Sequence, residues 1–172
     1  MKLLPTRVRA GSLALGAVLA GCASARPAPP PPAAPFDGHW RVEWCDRTRP
    51  ERDCGGFSAY LVQRGDRICG NYDGARVGLS QIDEGMGRTI AGAVTGEIAI
   101  IAIRSSRGGG TSVVRLERTG DALTWRTVED LAPDLDDISI LALDDTLTLW
   151  RGEDSRLDEA RGLCERWWTD GG

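Results

Sequence analysis

The feature that most constrains this chain is its rhythm. From residue 36 onward, turn-forming residues interrupt short segments every eight to twelve positions. That spacing is expected of a β-sandwich or barrel. Trp40-Arg41-Val42-Glu43-Trp44 alternates strictly, which places both tryptophans and the valine on one face of a strand. Further strands are expected at Phe57–Gln63, Arg67–Asp73, Arg76–Ile82, Arg88–Val94, Glu97–Arg104, Thr111–Arg118, Ala122–Val128, Ile138–Leu143 and Thr146–Trp150. Arg64-Gly65-Asp66, Asp73-Gly74, Thr95-Gly96, Thr119-Gly120-Asp121 and Asp144-Asp145 read as the links between them. Links this short favour antiparallel neighbours in sequence order. Ile98 to Ile103 is apolar on both faces, so that strand is expected to be central or covered. The fold expected is all-β: an antiparallel up-and-down barrel or strongly curled sheet of 8–10 strands, with one C-terminal helix.

The end of the chain changes period. Leu157, Ala160, Cys164 and Trp167 or Trp168 recur at helical spacing, with Arg156, Asp158, Glu159, Arg161 and Glu165 on the other side. Ser155-Arg156-Leu157-Asp158 has the form of a capping box. Gly162 should weaken the middle of this helix by about 1 kcal/mol relative to Ala.

Cys45, Cys54, Cys69 and Cys164 lie within the domain. An even count in an exported protein suggests two disulfides, and four cysteines permit three connectivities. A metal site is the rival. Yet the spacings match no paired-ligand motif, and the single histidine, His39, is not placed to join them. Cys45–Cys54 would close the polar loop 46–53. Cys69–Cys164 would tie a strand to the helix, because with Ile68, Gly70 and Tyr72 inward Cys69 must face out.

The N-terminal segment is of another kind. Lys2, Arg7 and Arg9 precede an apolar run from Ala10 to Ala20. Such a run falls short of the roughly twenty residues that span a bilayer and reads as a signal peptide. Its end, Leu19-Ala20-Gly21-Cys22, resembles the lipobox of bacterial lipoproteins. The resemblance covers residues 1–22. It implies cleavage before Cys22, a diacylglycerol on the Cys22 thiol and an acylated new N-terminus. One acyl chain holds a membrane marginally, at about 0.8 kcal/mol per buried methylene, so several on one residue should hold firmly. Ala23 stands where an Asp would, in the enterobacterial family, retain the protein at the inner membrane. The resemblance therefore implies the periplasmic face of the outer membrane. Six of the nine prolines then fall between Pro27 and Pro35. Residues 22–35 are expected to be an extended polyproline II spacer, a reading preferred to a proline-rich ligand for a partner. Residues 36–172 are the domain.

Removing residues 1–21 takes away Lys2, Arg7 and Arg9 and no acid, moving the formal charge from −4 to −7. An acidic mature protein argues against nucleic acid as partner and against electrostatic docking on anionic lipid. Attachment to membrane lipid is expected through acylated Cys22 alone.

Phe36-Asp37-Gly38-His39-Trp40, a Gly-x-Trp at the start of the first strand, resembles the opening motif of lipocalins. That superfamily also pairs a meander with a helix. The resemblance implies a binding barrel and an arginine near the last strand, Arg151, packing over Trp40. An eight-stranded barrel has an interior only just filled by its own side chains, which bears directly on whether a cavity remains.

No catalytic set is legible. His39 is the only histidine and a possible general base, but its place beside Trp40 at a strand start reads as structural. Arg104-Ser105-Ser106-Arg107-Gly108-Gly109-Gly110 could cradle an anion through backbone amides and arginines. It lacks the context of a phosphate loop, and a hairpin tip is preferred. Glu129, Asp130, Asp134, Asp136 and Asp137 could offer oxygens to Ca²⁺, though a solvated acidic loop explains them. Trp40, Trp44 and Trp125 are the candidate ligand-binding residues, with core filling as the default for such side chains. No cofactor or metal is expected, and the chain reads as non-enzymatic. Two functions remain. One is a binding module for a small apolar or envelope-derived ligand. The other is a protein-interaction lipoprotein, either an envelope-assembly factor or an inhibitor of a cell-wall hydrolase. An open cavity would favour the first, and a filled core with protruding loops the second.

Overall fold

A computed structural model describes residues 34–79, 81–132 and 144–171. All of them belong to the unit Pro32–Gly172, which is distinct from Met1–Pro31. Nine strands and a helix follow in order. They are β1 (Gly38–Trp44), β2 (Gly55–Arg64), β3 (Arg67–Ala75), β4 (Ile82–Asp83), β5 (Ile90–Thr95), β6 (Ile98–Arg104), β7 (Thr111–Thr119), β8 (Ala122–Ala132), β9 (Asp145–Trp150) and α1 (Ser155–Thr169).

Each long strand pairs antiparallel with the next. β1 closes the circle by pairing with both β2 and β9. The result is a closed eight-stranded up-and-down barrel, with the two-residue β4 added on β3. Closure leaves the main wall without a free edge, which is the liability such a sheet would otherwise carry. Three links are two-residue hairpins, at 65–66, 96–97 and 120–121. Gly65, Gly96 and Gly120 each stand first in the turn with φ +63°, the place where a two-residue hairpin requires glycine. Asp73-Gly74, by contrast, is no turn: β3 runs through it, and Gly74 pairs with Phe57. Of the expected strand Arg76–Ile82, residues 76–79 and 81 are likewise outside any strand, and only Ile82 lies in one, β4. Ile138–Leu143 lies outside the described residues.

Alternation along the strands delivers one apolar face to the inside. Trp40, Phe57, Leu61, Ile68, Tyr72, Ile90, Ile101, Ile103, Leu116, Leu123 and Trp125 are all buried to 1% exposure or less. They form one cluster with Phe36, Ala59, Val94, Ala99, Val114 and Leu147. Fully burying one large apolar side chain is worth about 1.5–3 kcal/mol, so this cluster dominates the favourable side of folding. β6 departs from the sequence reading. Its outer face is wet, with Ile98 38% and Ile100 46% exposed.

The reason is that α1 packs elsewhere, on β2 and β3. Its buried residues Ala160 and Cys164 meet Tyr60, Val62 and Cys69 on the outer face of the barrel, flanked by Leu157, Trp167 and Trp168. The cap is Asp154, one residue before the expected Ser155, and its carboxylate accepts from Arg156 N. Both disulfides are present as expected, Cys45–Cys54 within one loop and Cys69–Cys164 between β3 and α1.

Candidate functional site

An up-and-down barrel sorts its connections by end. At one end lie the three two-residue hairpins and the start of β1; at the other, among the described residues, lie the connections 45–54, 76–89 and 105–110. The hairpin end is sealed from within. Phe36 is fully buried, its N–H donates to Gln63 Oε1 at 3.1 Å, and its carbonyl accepts from Trp40 Nε1 at 2.9 Å. Arg118 lies over the Trp40 ring at 5.7 Å and donates to the Pro35 carbonyl at 2.7 Å. Arg151 does not fill that role, a correction to the sequence reading. It donates to both oxygens of Asp121 on the surface, at 2.6 and 2.7 Å.

The loop end is organised around Asp83, which is wholly buried. Its Oδ2 accepts from Tyr72 Oη at 2.6 Å and Ser105 Oγ at 2.8 Å. Its Oδ1 accepts from Gly85 N at 3.1 Å and from Ser106 Oγ. Burial raises the cost of its charge, but these hydrogen bonds outweigh burial and hold its pKa below the usual carboxylate range. The same neighbourhood pushes the Tyr72 phenol upward, through burial first and the adjacent Asp83 second. Gly85 is required here: its φ is +51°, and a Cβ would stand 2.3 Å from the Tyr72 carbonyl oxygen.

The 105–110 tip is therefore ordered, not a loose hairpin. Ser105 N donates to the Gly110 carbonyl at 2.7 Å, and Ser106 N to Tyr72 Oη at 3.3 Å. Arg107 N and Gly108 N both donate to Ser105 Oγ, at 3.3 and 3.2 Å. The amides of residues 105–108 are therefore spent inside the fold and are not available to an anion. Between this tip and residues 84–89 opens a cleft of about 530 Å³, lined by Glu84, Met86, Arg88, Thr89, Arg104, Ser105, Ser106, Arg107 and Gly109. A second groove of about 380 Å³ runs beside the Cys45–Cys54 loop, where Arg41, Glu43, Asp73, Glu84 and Arg156 mix both signs of charge with Leu79 and Ile82.

The loop 46–53 carries its own brace. Asp46 accepts from Thr48 Oγ1 at 2.6 Å, Thr48 N at 3.0 Å and Arg49 Nε at 2.7 Å. The Thr48 hydroxyl, with Arg49 beside it, draws the Asp46 pKa down to about 2. Gly78 N donates to the Asp53 carbonyl at 2.7 Å, joining this loop to the next.

The tryptophans read as candidate ligand contacts sit apart from both clefts. Trp40 and Trp125 are fully buried in the core cluster, and Trp44 is half-buried against it with Nε1 donating to Asp145 Oδ2 at 2.9 Å. Trp125 meets Phe57 edge-on at 5.1 Å. His39 is outside the clefts too. Its Nδ1 lies 2.6 Å from Asp154 Oδ2, its ring 4.6 Å from Tyr60, and burial lowers its pKa more than Asp154 and Asp73 raise it. It joins β1 to the helix cap. Among the described residues the one grouping of potential metal ligands is Glu43, Cys45 and Cys54. Both sulfurs there are already bonded to each other, and a disulfide offers no thiolate. Asp130 accepts from Ser112 Oγ at 2.6 Å on the barrel wall. Asp134, Asp136 and Asp137 lie outside the described residues, as does Cys22.

Asp83 was not legible as a hub. Its hydroxyl partners are eleven to twenty-three residues away, so no local motif announces it. Comparison with known proteins gives no matching family model, no matching curated protein and no matching solved structure.

Proposed function

We propose that this chain is an envelope lipoprotein, held through acylated Cys22 on the periplasmic face of the outer membrane. Its barrel is a non-catalytic interaction module that recognises an envelope-derived ligand or protein with its loop end. The observation that carries the second part is the filling of the interior. Trp40 and Trp125 are fully buried in a packed cluster, while both clefts open outside it, beside the loops. A ligand inside would have to displace core side chains, each worth kilocalories per mole. A ligand outside meets arginine-bearing loops already held by Asp46 and Asp83. Support for the anchor is the lipobox resemblance, together with two disulfides that suit an oxidising compartment. β1, the first strand, begins at the hairpin end, the end opposite the loops.

Two experiments test this reading. Cys22→Ser should move the protein from the membrane to the soluble fraction; a variant that still sediments with membranes contradicts the anchor. A photo-crosslinking residue at Arg49 or Arg107 should give adducts in intact envelopes, and one at Gly96 or Gly120 should not. Adducts from the hairpin end alone would reverse the assignment.

A further inference from the structure

We propose that the cleft between residues 84–89 and the 105–110 tip is a binding site for a phosphate-type oxyanion, held by the guanidinium groups of Arg88, Arg104 and Arg107. This inference rests on the loop end being the recognition surface and gives that surface a ligand class. Three arginines line one cleft, Arg88 from the connection 84–89 and Arg104 and Arg107 from the end of β6 and the tip that follows it, against a single carboxylate, Glu84. None of the three is in an ion pair among the described residues, whereas Arg151 pairs with Asp121 and Arg161 with Asp37. The local excess of positive charge stands out on a mature chain of formal charge −7, with Lys2, Arg7 and Arg9 removed from the −4 of the whole.

Arginine suits the task because its planar fork donates two parallel hydrogen bonds to a phosphate or carboxylate group. The platform is also fixed in advance. Asp83 holds Ser105 and Ser106, Ser105 holds the amides of Arg107 and Gly108, and Arg88 lies 4.1 Å over the Trp167 ring. Fixing the donors before the ligand arrives lowers the ordering cost of binding. With the amides of residues 105–108 already engaged, the arginine side chains are left as the main donors. Met86, 75% exposed at the cleft, adds an apolar contact beside the charge. The same headgroup chemistry could therefore be presented by a free phosphate or by a phospholipid.

The test is isothermal titration of the purified mature chain, beginning at Cys22 and held in detergent, with two probes: pyrophosphate, and monomeric dihexanoyl phosphatidic acid. Pyrophosphate should bind and be displaced by salt, since screening shortens the reach of exposed charges. Arg104→Ala with Arg107→Ala should weaken binding at least tenfold, while Arg126→Ala, on β8 and outside the cleft lining, should leave it unchanged. An unaltered near-ultraviolet tryptophan spectrum shows that the double variant is folded. Tighter binding of phosphatidic acid, with the advantage lost in Met86→Ala, assigns a lipid source; equal binding assigns the free anion. Failure of both probes to bind, or an equal loss in Arg126→Ala, overturns the proposal. If loop-end crosslinks still form in that case, this site alone is refuted and the loop-end reading stands.

Discussion

At one end of the barrel three two-residue turns and the buried Phe36 leave little beyond the wall itself, whereas at the other the chain extends into the connections 45–54, 76–89 and 105–110. The hairpin end is held by apolar burial and glycine geometry. The loop end is held by charge and hydrogen bonds, with one disulfide, Asp46 and Asp83 each organising a segment. The difference separates two jobs that a small barrel cannot do in one place. Apolar sealing gives stability without selectivity, while polar loops tied to buried anchors can present charge in a fixed geometry.

The largest effects should come from the disulfides, and they should be unequal. Cys69 and Cys164 are 95 residues apart and Cys45 and Cys54 nine. Loop-closure entropy then assigns about 4.7 kcal/mol to the first bond and roughly 2.6 kcal/mol to the second. Denaturant unfolding of Cys69→Ala/Cys164→Ala and of Cys45→Ala/Cys54→Ala reads this directly. An equal loss from both would show that the loop end shares the load of the wall.

Asp83→Asn should cost about 2 kcal/mol, because an amide nitrogen cannot accept the hydroxyl donors that the carboxylate oxygen now holds. Its pH signature sharpens the contrast. The folded pKa lies below the ordinary 3.8, so the contribution is present above the unfolded value and is lost as pH falls through the folded one. Wild type should therefore lose stability below about pH 4 more steeply than Asp83→Asn does. Identical acid limbs in urea titrations would remove Asp83 from the account.

Smaller still is Gly120→Ala. No atom lies within 4 Å of where its Cβ would stand, so the cost is backbone strain alone, at φ +63°. About 1 kcal/mol is expected from a single left-handed residue. A larger loss, measured by thermal unfolding, would mean that the hairpin end depends on more than turn geometry.

Much of the wall was legible because burial on one face enforces a two-residue period. Trp40, Val42 and Trp44 point as that period requires, and the parity of Ile68, Cys69 and Tyr72 gave the Cys69–Cys164 pairing. What escaped depended on partners far along the chain. Asp73-Gly74 has turn composition, yet β2 and β4 pair across it and keep it extended. Ile98 and Ile100 are apolar and still exposed, because the disulfide places α1 over β2 and β3 instead. Asp154 caps the helix ahead of Ser155, since the same carboxylate also reaches His39. Arg118 takes the place over Trp40 that Arg151 was expected to hold, a choice made by packing at the hairpin end and by no motif. Arg104 and Arg107 were already legible as a possible anion contact, but Arg88 was not, because it joins them only once the barrel closes.

The central claim is that the interior is full and recognition happens outside it. Hydrogen exchange of the tryptophan indole N–H groups, followed by NMR on the full-length chain, tests this most directly. Trp40 and Trp125 should exchange only as slowly as the best-protected backbone amides, through global unfolding. Exchange of either indole orders of magnitude faster than those amides, slowed by adding envelope lipid extract, would reveal an accessible binding cavity and contradict the account.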